Sequence, residues 1–214
     1  MLLHHSLFDS LLTLLFPDRC AGCQRPGTLF CASCCAALVP YSDIQLVSLK
    51  GMTHVHIAFV YQSPLREAIH RLKYDRLRRM AGPLGALLAT YVAAHPLVAD
   101  AILPVPLHTS RLAERGFNQA EELAQALTHT GLPLINDKLI RIRMTEQQVR
   151  LTSHERRSNV DRAFAWHGTT APPRRVLLID DVMTTGSTMS ACAAALRAAG
   201  VEEIAGLVLA RSYQ

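Results

Sequence analysis

Lysine is nearly missing from this chain of 214 residues, where Lys50, Lys73 and Lys138 are the only three. Lys and Arg together number 22, so the other 19 cations are arginine, and against 17 acidic residues they leave a net charge of +5. Planar, forked guanidinium groups suit phosphate and carboxylate, although charge alone does not separate a phosphate ligand from a nucleic acid. No segment approaches the ~20 apolar residues of a membrane helix. The opening MLLHHSLFDS lacks the basic region of a signal peptide. A cytoplasmic protein without a membrane span is expected. There is no G-x-x-x-x-G-K-[ST] motif, so the chain carries no Walker ATPase. Internal repeats and low-complexity tracts are also missing, and 50% hydrophobic residues supply the core of one ordinary domain with a small appendage.

The six cysteines are unevenly spread, with five between Cys20 and Cys35 and the sixth, Cys192, in an alanine-rich helical pattern. That distribution argues against a disulfide framework. Cys20-Ala21-Gly22-Cys23 and Cys31-Ala32-Ser33-Cys34 form two C-x-x-C pairs seven residues apart. Four soft sulfur ligands point to tetrahedral zinc, with a redox dithiol and iron–sulfur ligation as the alternatives. A knuckle too short to build its own core would take folding energy from the metal.

Leucines at helical spacing make residues 3 to 16 an amphipathic helix, and Ala36 to Leu38 a short one. A polar connector to about Gly51 suggests a division into residues 1–50, bearing the cysteine module, and 51–214. In the second part apolar runs alternate with helical patterns. Strands are expected at His54 to Tyr61, Ala101 to Val105, Leu139 to Ile142, Val176 to Ile179 and Ile204 to Ala210. Helices are expected at Leu65 to Lys73, Leu84 to Ala94, Gln119 to Leu127 and Thr188 to Ala199. Such alternation implies an α/β fold, a parallel sheet covered on both faces. Leu107 to Phe117 and Arg143 to Asp161 fit no regular element, and the second is long enough to suggest a functional loop.

The strongest signal is the unit from Val176 to Thr188, VLLIDDVMTTGST, followed by a helical pattern. An apolar strand delivers Asp180 and Asp181 at its carboxyl end, where they can meet vicinal hydroxyls or sit near a magnesium ion. Thr184, Thr185, Gly186, Ser187 and Thr188 then turn toward a helix N-terminus, a place suited to a phosphate dianion. Carboxylates beside a phosphate cradle describe a sugar phosphate. The unit closely resembles the phosphoribosyl pyrophosphate (PRPP) signature of type I phosphoribosyltransferases, with Asp180, Asp181, Val182, Met183 and Thr184 to Thr188 as the PRPP-binding residues.

A second resemblance covers essentially the whole chain. Pro104-Val105-Pro106-Leu107, Arg111, Arg115-Gly116-Phe117-Asn118-Gln119, Thr145, Gln148, Leu151, Arg156, Asn159 and Phe164, with the four-cysteine module, are similar to the ComF/GntX family. That likeness implies a small N-terminal zinc module on a type I phosphoribosyltransferase-like sheet, and a part in DNA uptake or the use of extracellular DNA. It places Leu107 and His108 in a pyrophosphate loop and makes Arg115 the cation beside it. Arg143 to Asn159 becomes a mobile loop that offers Arg156, and none of the three lysines falls in it.

The resemblance therefore implies PRPP or ribose-5-phosphate as ligand with magnesium, zinc as a structural ion, and Asp180, Asp181 and Arg115 as the reacting-centre residues. Two other readings are open: a sensor that uses the same pocket, in which PRPP binding alters affinity for DNA or a competence helicase without turnover, and an adaptor that binds single-stranded DNA or partners a competence helicase. The adaptor would use the zinc module with Arg71, Lys73, Arg76, Arg78 and Arg79, a run that more commonly describes a solvated helix face and loop.

Overall fold

The computed structural model describes residues 17–41, 48–142 and 163–212. The helix expected over residues 3 to 16 and the whole loop from Arg143 to Asp161, Arg156 included, lie outside the described residues. The described elements run in the order α1 (Ala32–Ala36), β1 (His54–Val60), α2 (Leu65–Lys73), α3 (Ala81–Ala94), β2 (Ala101–Pro104), α4 (Thr109–Arg115), α5 (Gln119–Gln125), β3 (Leu139–Arg141), β4 (Phe164–Trp166), β5 (Arg175–Met183), α6 (Ser187–Ala198) and β6 (Glu203–Arg211). Four strands form one sheet in the order β1-β6-β5-β2, and every pairing in it is parallel. β3 and β4 form a separate antiparallel pair.

Parallel strands buried on both faces need apolar residues at successive positions, and Val176 to Ile179 supply four, all at 2% exposure or less. One face of the sheet packs Leu177, Ile179 and Leu207 against α2, α3 and α5, through Leu72, Leu84 and Leu123. Cys20, Phe30, Cys31 and Cys34 belong to this same layer. The other face packs Val176, Leu178 and Val208 against α6 and the β3–β4 pair, through Cys192, Leu196 and Phe164. Asp100 receives the Arg175 guanidinium at 2.6 and 3.1 Å and its backbone N–H at 3.0 Å, which sets the register where β2 and β5 begin.

The element boundaries depart from the sequence expectation in three informative places. β5 does not stop at Ile179: its pairing with β6 continues to Met183 opposite Arg211, so both aspartates are strand residues. Within Leu107 to Phe117, expected to be irregular, Thr109–Arg115 is helical. None of its residues is buried, so it has no apolar periodicity to reveal it. The short helix near Ala36 lies earlier, over Ala32–Ala36, with Cys31 as its N-cap. A helical turn there sets Cys31 and Cys34 on one side, as i and i+3 positions require.

Candidate functional site

β2 and β5 lie side by side, yet the helix after β2 that packs on the sheet, α5, covers one face while the helix after β5, α6, covers the other. Neighbouring parallel strands whose connections leave on opposite faces open a crevice at their carboxyl ends, where ligands of such sheets bind. The loop after β2 begins at Val105, whose N–H is bonded to the Ile179 carbonyl at 2.9 Å, and continues through Leu107 to His108. The Nδ1 of His108 caps α4 by accepting the Ser110 N–H at 3.2 Å. Asn118 ties the next helix to the same place, donating to the Val105 carbonyl at 3.1 Å and accepting the Ala120 N–H.

Across the crevice, β5 delivers the acidic pair and then the turn. Asp180 is partly exposed and accepts the Asp181 N–H through Oδ1 at 2.9 Å. Burial, then the neighbouring Asp181 charge, push its carboxyl up to about 7. Asp181 is 2% exposed, with Oδ1 on the Val182 N–H at 2.7 Å and Oδ2 at 2.8 Å from Lys73 Nζ. Burial pulls the Lys73 ammonium down, but the Asp181 carboxylate outweighs it and holds the group above the ordinary lysine range.

Thr184, Thr185 and Ser187 are exposed on the turn, where Thr185 donates to the Ser187 hydroxyl at 3.1 Å. Gly186 has φ +77 and sits under Leu49, whose methyls would lie 2.6 and 2.7 Å from any Cβ added there. Only glycine meets both demands. α6 follows with twelve residues and no acidic side chain in its first turn, so its N-terminal dipole faces the crevice without a competing carboxylate.

Away from the crevice, the Sγ atoms of Cys20, Cys23, Cys31 and Cys34 all lie within 4.8 Å of one another. Cys20–Cys34 and Cys23–Cys31 are each 3.6 Å apart. Zinc–thiolate bonds of about 2.3 Å put sulfurs about 3.8 Å apart along a tetrahedral edge, so the donor set and spacing fit that metal. None of the six cysteines is in a disulfide. Cys20 is drawn down to about 6, because N–H groups of Cys23, Cys31 and Gly22 together outweigh the opposing effect of burial. Gly22 leaves room for the cluster: a Cβ there would stand 2.5 Å from Pro64 Cβ and 2.8 Å from Cys34 Sγ.

Residues 112–213 match the model of the phosphoribosyl transferase domain. Along its length the chain is 36% identical to Competence protein F of Haemophilus influenzae over 206 residues, covering 90% of each protein. The chain belongs to the ComF family. This ComF chain is also 30% identical to Competence protein ComFC of Streptococcus pneumoniae over 220 residues, covering 95% of the chain and 93% of that protein. With DNA utilization protein YhgH of Escherichia coli K12 it shares 30% over 202 residues, covering 90% and 84%. Among solved structures it is similar to a purine phosphoribosyltransferase of Pyrococcus horikoshii (TM-score 0.33, 19% identity, 65% and 75% covered). A second is a hypoxanthine phosphoribosyl transferase of Trypanosoma cruzi (TM-score 0.37, 16% identity, 64% and 65% covered).

Of the residues singled out from sequence, Asp180, Asp181, the Thr184 to Thr188 turn, Leu107 and His108 are found at the carboxyl ends of β5 and β2 in the ComF chain. Val182 is a partly buried strand residue and Met183 is 3% exposed, so they bring backbone to the turn and side chains to the core. Arg115 donates to Gln119 Oε1 and lies 6.0 Å over the Tyr74 ring. Sequence reasoning placed Lys73 in a surface cluster and missed its contact with Asp181. The available signal was its chemistry: an ammonium is a compact point charge that suits one carboxylate oxygen, and this chain uses it only three times. Arg141 was missed as well. Its half-buried guanidinium lies 5.4 Å over the Phe164 ring, where burial and the Arg111 charge pull its pKa down and Cys192 and Asp180 oppose them.

Proposed function

We propose that this ComF chain binds PRPP with magnesium in the crevice between β2 and β5, as a phosphoribosyltransferase-like protein serving the use of external DNA. The observation that carries the reading is the continuity of β5 with α6. One strand presents carboxylates at its carboxyl end, and within a few residues a glycine turn meets a helix N-terminus with no acidic side chain in its first turn. The 5-phosphate would accept N–H and hydroxyl donors of Thr184, Thr185, Gly186, Ser187 and Thr188. The ribose would face the acidic pair, and the pyrophosphate would lie toward Leu107 and His108, with Arg115 and Arg156 as candidate cations. Asp180 and Asp181 lie where a magnesium ion bound with PRPP would sit near them, and that ion would supply charge neutralisation for the leaving pyrophosphate. The chain's own residues orient C1 for displacement of pyrophosphate with inversion by a nitrogen nucleophile. The phosphoribosyl transferase match and the names of the relatives, Competence protein F and DNA utilization protein YhgH, support this reading.

We assign zinc to the cysteine cluster as a structural ion. Four sulfurs close its coordination and leave no position for a substrate. The adaptor reading finds less support, because Arg79 and Arg78 are paired with Asp18 and Glu122, each at 2.7 Å, and Arg71 donates to the Arg19 carbonyl.

Calorimetric titration with PRPP and magnesium tests the proposal. Binding by the wild type that is lost when Asp180 and Asp181 are both changed to Ala is expected. No binding by the wild type, or unchanged binding by the double variant, would overturn it. Pyrophosphate release with purine and pyrimidine bases separates a transferase from a sensor, which releases none.

A further inference from the structure

The two carboxylates of the acidic pair have different surroundings. Asp181 is almost fully enclosed, and both of its oxygens are taken by the protein, Oδ1 by the Val182 N–H at 2.7 Å and Oδ2 by the Lys73 ammonium at 2.8 Å. Asp180 is partly exposed and engages only Oδ1, with the Asp181 N–H as its one hydrogen-bond donor among the described residues. A pair of vicinal hydroxyls needs acceptor oxygens that are open to the ligand. Asp180 has one, and Asp181 does not.

Lys73 comes from the last turn of α2, in the layer beneath β5, and its side chain is 19% exposed. A carboxylate as enclosed as Asp181 requires a partner of opposite charge. Two adjacent aspartates that both faced a polyphosphate would also set two like charges against an anion. An ammonium below the strand meets both conditions, because it compensates Asp181 and keeps that side chain turned down toward α2.

We propose that Lys73 is a positioning residue that withdraws Asp181 from the ligand and leaves Asp180 as the carboxylate that meets the ribose hydroxyls. This rests on the PRPP reading of the site. It divides the acidic pair into one ligand contact and one internal counter-ion, and gives a function to a lysine far from the loop in sequence.

The test is titration of the full-length protein with PRPP and magnesium, alongside thermal melts of each variant. Lys73→Met, which leaves Asp181 uncompensated, is expected to melt lower and to bind at least tenfold more weakly. Combining Lys73→Met with Asp181→Asn removes both charges, and is expected to restore affinity to within threefold of the wild type. Asp180→Asn alone is expected to lose at least tenfold in affinity without melting lower. A merely structural lysine would leave the affinity of folded Lys73→Met unchanged, and that result overturns the proposal. It is equally overturned if the combined variant binds no better than Lys73→Met, since the Asp181 carboxylate would then be touching the ligand itself. A wild type that binds no PRPP is a different failure, that of the site's assignment, and is recognised before any variant is compared.

Discussion

Replacing Gly186 by Ala tests the turn on which the phosphate cradle depends. At φ +77 an L-residue suffers the left-handed clash of Cβ with its own backbone, about 1–2 kcal/mol. The new methyl would also meet Leu49 Cδ1 at 2.6 Å and Cδ2 at 2.7 Å, so Leu49 must move. Overpacking costs about 1–3 kcal/mol, and the low end applies because the obstacle is the tip of a flexible, half-buried side chain. The sum is about 2–3 kcal/mol, which for a chain of this size lowers the melting temperature by roughly 4–12 °C. Gly82→Ala serves as the internal control. Gly82 lies within α3, nothing stands within 4 Å of a Cβ built there, and the change should be neutral or stabilising by up to ~1 kcal/mol. Melts followed by circular dichroism read both variants, and titration with PRPP and magnesium reads the cradle. Gly186→Ala melting within a degree of the wild type, or dropping no more than Gly82→Ala, would refute the steric reasoning.

Two further outcomes follow from the site. Cys34→Ser should lose stoichiometric zinc in metal analysis and melt lower, because the metal supplies folding energy to a knuckle with little core of its own; a variant that keeps one zinc per chain and the wild-type melt would contradict the assignment. Asp180 has a folded pKa raised to about 7, so its contribution to stability is fully present below the ordinary carboxylate range and is lost as pH rises to about 7. Asp180→Asn should therefore match the wild type near pH 4 and melt progressively higher than it up to pH 7, with a constant difference above. A difference that does not change with pH would show that the carboxyl is not perturbed.

Much of the architecture was legible because burial writes itself into periodicity. The run Val176 to Ile179 and the neighbouring helical patterns are apolar where the sheet is covered on both faces, and the strands of the main sheet and the helices packed on it were placed to within a few residues, whereas the three-residue β4 (Phe164–Trp166) was not expected. α4 escaped because a helix with no buried residue has no apolar repeat. The end of β5 escaped for a related reason: aspartates are poor strand formers, and only the ladder to β6 as far as Arg211 keeps Asp180 and Asp181 extended. The C-x-x-C pairs were readable as ligands from spacing, since two thiolates on one turn is a local property. Their packing in one layer with Leu65, Ile69 and Leu72 was not.

The sequence by itself determined the alternation of strands and helices, the glycine turn before α6 and the identity of the four sulfurs. All are set by interactions among residues close along the chain. Tertiary structure decided what each charge faces. Lys73 reaches Asp181 across 108 positions of sequence, Arg115 meets Gln119 and Tyr74, and Arg79 finds Asp18. An ion pair depends on distance and enclosure in space, and neither is fixed until α2 lies against the sheet.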